Sequence, residues 1–205
     1  MNHPLVASKT ALLLIDMQND FLHPDGAYAR GKQSAPSMAP LPIRLAKVAA
    51  AIRNAGGWIV STHFTIVTGK GGEPFISPHL KELRPFLQKG DFLSGGWGHD
   101  TIDELQPVDI KVEKVAYSAF YQSRLEFALK KAGIETLFVG GIVTNGGVAS
   151  TVRGAHVRGL RTIVLKDGTA AFSDENHSAA IASLATVSAI ATCEQAITML
   201  DQAST

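Results

Sequence analysis

The sequence has one cysteine, Cys193, so no disulfide can close within the chain. A lone thiol fits a reducing compartment, and a cytoplasmic protein is expected. Charge of either sign is scarce: 18% of residues are Asp, Glu, Lys or Arg, and the formal net charge is +1. Lys and Arg are scattered, which argues against nucleic acid, acidic partners and membrane surfaces as ligands. Long apolar runs are missing as well. The early stretch "ALLLI" (11–15) is closed by Asp16 and has no small-residue cleavage site, so no targeting peptide is expected. Nothing approaches the roughly 20 apolar residues of a membrane helix.

What is present suffices for one substantial core. The chain has 205 residues, 45% of them hydrophobic, and a single domain over 1–205 is expected. Short, apolar, mostly β-branched segments read as buried strands at 11–16, 58–63, 109–114, 136–141, 161–167 and 187–192. Continuous apolar runs, rather than alternation, point to strands covered on both faces. Between them lie helical patterns. Leu41, Leu45, Val48 and Ile52 share one face, as do Leu125, Ala128, Leu129 and Ala132, and then Val148, Val152 and Ala155. Glycine follows each, and Asp174 is a candidate cap for a helix running to Ala185. Strands alternating with helices imply an α/β fold: a doubly wound, mostly parallel sheet with helices on both faces. Residues 17–40 and 64–108 break this rhythm and read as functional lids or as disordered loops.

In such a sheet, ligands bind beyond the carboxyl ends of the strands. Asp16 ends the first strand, His63 the second and Lys114 the third, while Asn145, Gly146 and Gly147 follow the fourth. Asp16 and Lys114 together make a tunable proton-transfer pair; the plainer alternative is a strand-end Asp bonded to loop N–H groups. His63 is a candidate to orient substrate, against a plain structural histidine. Trp97, Tyr117, Phe120 and Tyr121 either line a flat apolar pocket or pack in the core. His63, His79 and Asp16 lack metal-ligand spacing, so neither metal nor cofactor is expected. Cys193 reads as a buried, inert thiol. The loop "GGIVTNGG" (140–147) leads into a helix N-terminus and offers N–H groups to an oxyanion or a phosphate. It is neither G-x-G-x-x-G nor a Walker sequence.

The segments "LLLIDMQNDFL" (12–22), "EKVAYSAFYQSRLEFAL" (113–129) and "GGIVTNGGVAST" (140–151) resemble the isochorismatase-like hydrolase superfamily. "LKDGTAAF" (165–172) and the late "ASLATVSAIAT" fit its later landmarks, in order across nearly the whole chain. The resemblance implies an Asp, Lys and Cys catalytic set, with Asp16 and Lys114 in the first two places and Gly147 where most members carry the Cys. A covalent acyl route through a thiolate is therefore disfavoured. The isochorismatase branch, by contrast, cleaves an enol ether with water and needs no thiol.

By this resemblance Asp16 is the general acid, and Lys114 sets its charge state and holds a substrate carboxylate. His63 contacts substrate, and a cis peptide at Ile142–Val143 aims the N–H groups of Val143 and Gly147 into the pocket. A homo-oligomer acting on a small-molecule substrate is implied. The expected function is a thiol-independent hydrolase of a small carboxylated substrate. The alternatives are a non-catalytic binding member of the family and a mononucleotide-binding domain.

Overall fold

The computed structural model describes residues 5–203. At its centre is one sheet of β1 (Thr10–Ile15), β2 (Trp58–Phe64), β3 (Ile110–Lys114), β4 (Thr136–Ile142), β5 (Arg161–Ala170) and β6 (Ala189–Ala191). The order is β3-β2-β1-β4-β5-β6, and every pairing is parallel. The direction of winding therefore reverses between β1 and β4, the place where such sheets open a crevice. The helices are α1 (Asn19–Leu22), α2 (Ala27–Arg30), α3 (Leu41–Asn54), α4 (Pro78–Leu83), α5 (Leu125–Lys131), α6 (Ala149–His156), α7 (Asp174–Leu184) and α8 (Cys193–Asp201). No helix among the described residues is long and apolar enough to cross a membrane.

All six residues of β1 are buried, which is why the strand reads as an unbroken apolar run. Their side chains divide by parity. Leu12 and Leu14 join Leu41, Leu45, Val48 and Ile52 of α3 and Leu200 of α8 in one cluster. Ala11, Leu13 and Ile15 join Leu125 and Leu129 of α5, Val152 of α6 and Leu184 of α7 in the other. The three helical faces expected from spacing are thus the ones that cover the sheet.

Several boundaries differ from expectation. The expected strand at 187–192 is reduced to Ala189–Ala191. Ser173, not Asp174, caps α7: its side chain accepts the N–H of Asn176 at 3.2 Å, and Asp174 occupies the first turn. Helix α8 was not foreseen, although Thr192 and Gln195 form a full capping box whose T-x-x-Q spacing stands in the sequence.

The two long loops are pinned rather than open. Gln18 donates to the carbonyls of Phe64 (3.0 Å) and His99 (2.9 Å) and accepts the N–H of Phe64 at 2.7 Å. Asp20 accepts the N–H groups of Ala27 (3.1 Å) and Phe92 (2.6 Å).

Two outcomes follow from this packing. Gly141 has φ +118°, and a Cβ there would stand 2.1 Å from the Ile15 carbonyl oxygen of the adjoining strand. Gly141→Ala should therefore cost about 3 kcal/mol or more in a urea titration. Gly140→Ala should cost less, because its closest contact is the flexible end of Leu45. Cys193 is buried, and burial together with the nearby Asp167 carboxylate pushes its thiol up to about 12. Iodoacetamide should leave it unlabelled in the native protein and label it on unfolding, as read by mass spectrometry.

Candidate active site

A cavity of about 290 Å³ opens at the carboxyl ends of the strands. Asp16, Lys114, Tyr117, Val143 and Gly147, all singled out from the sequence, line it. The register explains how the first two meet. Ile15 pairs with Thr62 across β1 and β2, and Phe64 pairs with Lys114 across β2 and β3. One residue past β1 the chain turns sharply, with Asp16 at φ +54° and its N–H on the Thr62 carbonyl. Asp is among the residues that tolerate this left-handed region best.

The Lys114 ammonium lies 2.6 Å from Asp16 Oδ2, with the two side chains 2% and 7% exposed. Thr62 Oγ1 donates to Asp16 Oδ1 at 3.1 Å, and Lys114 Nζ donates to the Ala116 carbonyl at 3.0 Å. Burial pushes the Asp16 carboxyl above the ordinary carboxylate range. The Lys114 charge and its hydrogen bond pull back without cancelling that push. The pair therefore makes a carboxyl poised to exchange a proton in a site of low polarity.

The fourth strand supplies the opposite wall. After β4 the peptide Ile142–Val143 is cis, and a π-helical turn, Thr144–Val148, leads into α6. The N–H of Val148 reaches back to the Val143 carbonyl at 3.2 Å. Thr144 Oγ1 lies 2.8 Å from His177 Nδ1, which ties the corner to α7. A Cβ on Gly147 would lie 3.3 Å from Asp16 Oδ2 and 3.2 Å from both the Ile142 carbonyl oxygen and Ile15 Cγ2. Whatever occupies this corner thus faces the Asp16 carboxylate directly.

Four of the sequence-selected residues lie elsewhere. His63 is buried on the other side of β2 from Thr62, because alternate strand residues face opposite ways. Its Nε2 lies 2.8 Å from Thr101 Oγ1 and 3.1 Å from Ser61 Oγ. Burial, with the neighbouring His99, lowers its pKa to about 4, so it is a neutral, satisfied structural histidine. Trp97 is half exposed, with its ring edge-on to His23, and it serves the fold through its carbonyl, which accepts from Asn19 Nδ2 at 2.8 Å. Phe120 is buried in the cluster under α5 and α6, with the Arg158 guanidinium over its ring at 4.5 Å. Tyr121 is exposed. Among the described residues, no group of His, Cys, Asp or Glu is arranged to hold a metal ion.

The cavity's aromatic wall went unforeseen. Phe21, Tyr28, Phe64 and Phe172 line it together with Arg84. Phe21 stands 4.6 Å from Tyr28 and 6.3 Å from Phe64 between ring centroids. Phe64 ends β2 and Phe172 follows closely on β5, so the strand-end rule that found Asp16 and Lys114 also reaches them. Tyr28 and Arg84 lie inside the long loops and carry no such signal.

Comparison with known proteins agrees with this architecture. Residues 10–196 match the family model for the isochorismatase domain. The chain is 33% identical over 207 residues to the ureidoacrylate amidohydrolase RutB of Methylobacterium radiotolerans, covering 92% of this chain and 79% of the relative. It is 34% identical over 175 residues to the enzyme of that name from Pseudomonas savastanoi pv. phaseolicola, covering 78% and 70%. Among solved structures, a cysteine hydrolase of Pseudomonas syringae pv. phaseolicola superposes with a TM-score of 0.81 at 24% identity, covering 98% of this chain and 99% of that one. N-carbamoylsarcosine amidase of Thermoplasma acidophilum gives 0.71 at 25% identity, covering 91% and 97%. The family match, the relatives and the six-stranded parallel sheet agree: the chain belongs to the isochorismatase family of hydrolases.

Proposed function

We propose that this hydrolase cleaves a small carboxylated substrate by direct attack of water, with Asp16 as the proton-transfer group and no covalent enzyme intermediate. The observation that carries this reading is the buried Asp16–Lys114 pair facing Gly147, a corner with no side chain of its own. Without a nucleophilic side chain there, rate enhancement rests on positioning, proton transfer and oriented N–H groups.

An enol ether suits this set best. Burial raises the proton affinity of the Asp16 carboxyl, and in its protonated form it can deliver its proton to the terminal vinyl carbon, leaving an oxocarbenium centre. Water adds to that centre, and its proton returns to the Asp16 carboxylate. The resulting hemiketal breaks into a ketone and an alcohol, so the net change is addition of one water. Lys114 keeps the carboxylate form accessible between these steps. The N–H groups of Val143 and Gly147 would steady oxygen charge in the hemiketal's breakdown.

A second reading takes its support from the relatives. Their named substrate couples a ureido group to an acrylate carboxylate. There Asp16 would act first as base, taking a proton from water as it attacks the ureido carbonyl, and would then return that proton to the leaving nitrogen as the C–N bond breaks, releasing an aminoacrylate and carbamate. Both readings keep a small carboxylated substrate and the same proton-transfer residue.

Asp16→Asn is nearly isosteric and keeps an acceptor for Thr62, but it carries no exchangeable acid proton. Turnover of isochorismate or ureidoacrylate, whichever the wild type accepts, should fall by about 10²–10⁴-fold with substrate affinity nearly unchanged. Full activity in the variant would reduce Asp16 to a structural role and sink the proposal.

Lys114→Met tests the electrostatics through stability. Because the native carboxyl sits above its unfolded value, folding favours its protonated form. That contribution is complete at low pH and is lost as pH rises through the native pKa. Without Lys114 the shift grows, so the variant should lose progressively more stability as pH rises from the ordinary carboxylate range through the raised native pKa. The deficit should reach about 3–5 kcal/mol at the upper end. Adding Asp16→Asn to Lys114→Met should flatten this profile in urea titrations. A flat profile in Lys114→Met alone would contradict the coupling.

A further inference from the structure

We propose that Arg84 is the carboxylate anchor of this cavity, selecting an unsaturated carboxylate with a flat face, whose acid group rests on Arg84 and Tyr28 while its reactive end faces Asp16 and Gly147. The inference deepens the hydrolytic reading and rests on it for the position of the reactive end. It moves carboxylate recognition away from Lys114, where the family resemblance had put it.

Two cations line the cavity, and their situations differ. Lys114 is already committed, with Asp16 at 2.6 Å and the Ala116 carbonyl at 3.0 Å. Its charge and that of Asp16 cancel within the site. Arg84 has no acidic partner among the described residues. Its Nε donates to the Tyr28 hydroxyl at 3.1 Å and its Nη1 to the Leu83 carbonyl at 2.8 Å. Those bonds use only part of a guanidinium's five N–H groups, and none meets a negative charge. The site therefore presents one uncompensated positive charge, on the side chain best shaped to hold a carboxylate by two parallel bonds.

The surroundings favour a planar body next to that charge. The guanidinium carbon lies 5.6 Å from the Tyr28 ring centroid and 5.2 Å from that of Phe172. Those two rings are nearly parallel, 12° apart in plane with centroids 6.0 Å apart. Phe21 and Phe64 line the same cavity as Asp16 and add to its apolar wall. Because the Tyr28 oxygen accepts from Arg84, its own proton is directed elsewhere. It can supply a third donor to a carboxylate bound at the guanidinium. A saturated, branched acid would present no flat face to these rings.

The competing explanation is that Arg84 only clamps Tyr28 to Phe172. Benzoate and benzamide separate the two, because they share a planar shape and differ in charge. Calorimetric titration of the wild-type chain should show benzoate binding at least about tenfold more tightly than benzamide. Arg84→Met should erase that preference while leaving benzamide affinity nearly unchanged. Arg84→Lys should keep part of it, and Tyr28→Phe should keep most.

Any of three results overturns the proposal: a wild type that binds no benzoate or shows no preference, a preference that survives Arg84→Met, or equal loss of both ligands in Arg84→Met. The last would establish the clamp. The binding readout is independent of turnover. An Arg84-dependent preference in a chain that hydrolyses neither isochorismate nor ureidoacrylate would refute the proposed substrates and leave the anchor standing. Active hydrolysis with no such preference would do the reverse.

Discussion

The buried ion pair between Asp16 and Lys114 is the constraint around which the carboxyl edge of the sheet is arranged. Two charges removed from water are costly unless their geometry is close and their remaining hydrogen-bonding capacity is met. Here the separation is 2.6 Å, and Thr62 and the Ala116 carbonyl take up part of that capacity. The pair also spans three strands, because Asp16 leaves β1, Thr62 stands on β2 and Lys114 ends β3. A slip of one residue in either pairing would turn Thr62 or Lys114 to the other face of the sheet. The register of β1, β2 and β3 and the chemistry of the site thus depend on each other.

Much of this was legible because burial and strand ends leave strong marks in a sequence. The unbroken apolar run before Asp16 announced a strand covered on both faces, and the polar residue ending it announced the edge where ligands bind. Lys114 and Gly147 followed from the same rule, and Val143 from the family resemblance. His63 shows where the rule stops. It occupies a strand end as Asp16 does, yet strand alternation turns it away from Thr62 and into a pocket with Ser61, Thr101 and His99. Choosing between the two sides needs the register of neighbouring strands, which no local pattern carries.

The long loops were legible as breaks in the strand–helix rhythm but not in their contents. The polar half of "DMQND" stands beside the aspartate that lines the cavity, yet its partners are backbone groups. Gln18 holds the end of β2, Asn19 the Trp97 carbonyl, and Asp20 the N–H groups of Ala27 and Phe92. These three side chains fasten two loops to the sheet, and the loops then deliver Phe21, Tyr28 and Arg84 to the cavity. Contacts made over tens of residues of chain have no period, and so they leave no trace in spacing.

The glycine at position 147 has a consequence for descent. A side chain beginning there would meet the Ile142 carbonyl, Ile15 and Asp16 at 3.2–3.3 Å, tight by only a few tenths of an ångström. The backbone of this corner is therefore close to accepting a small side chain as it stands, without rebuilding. Glycine and cysteine codons are separated by a single nucleotide. One mutational step therefore separates this open corner from one that bears a thiol, with Asp16, Lys114 and the surrounding fold inherited unchanged.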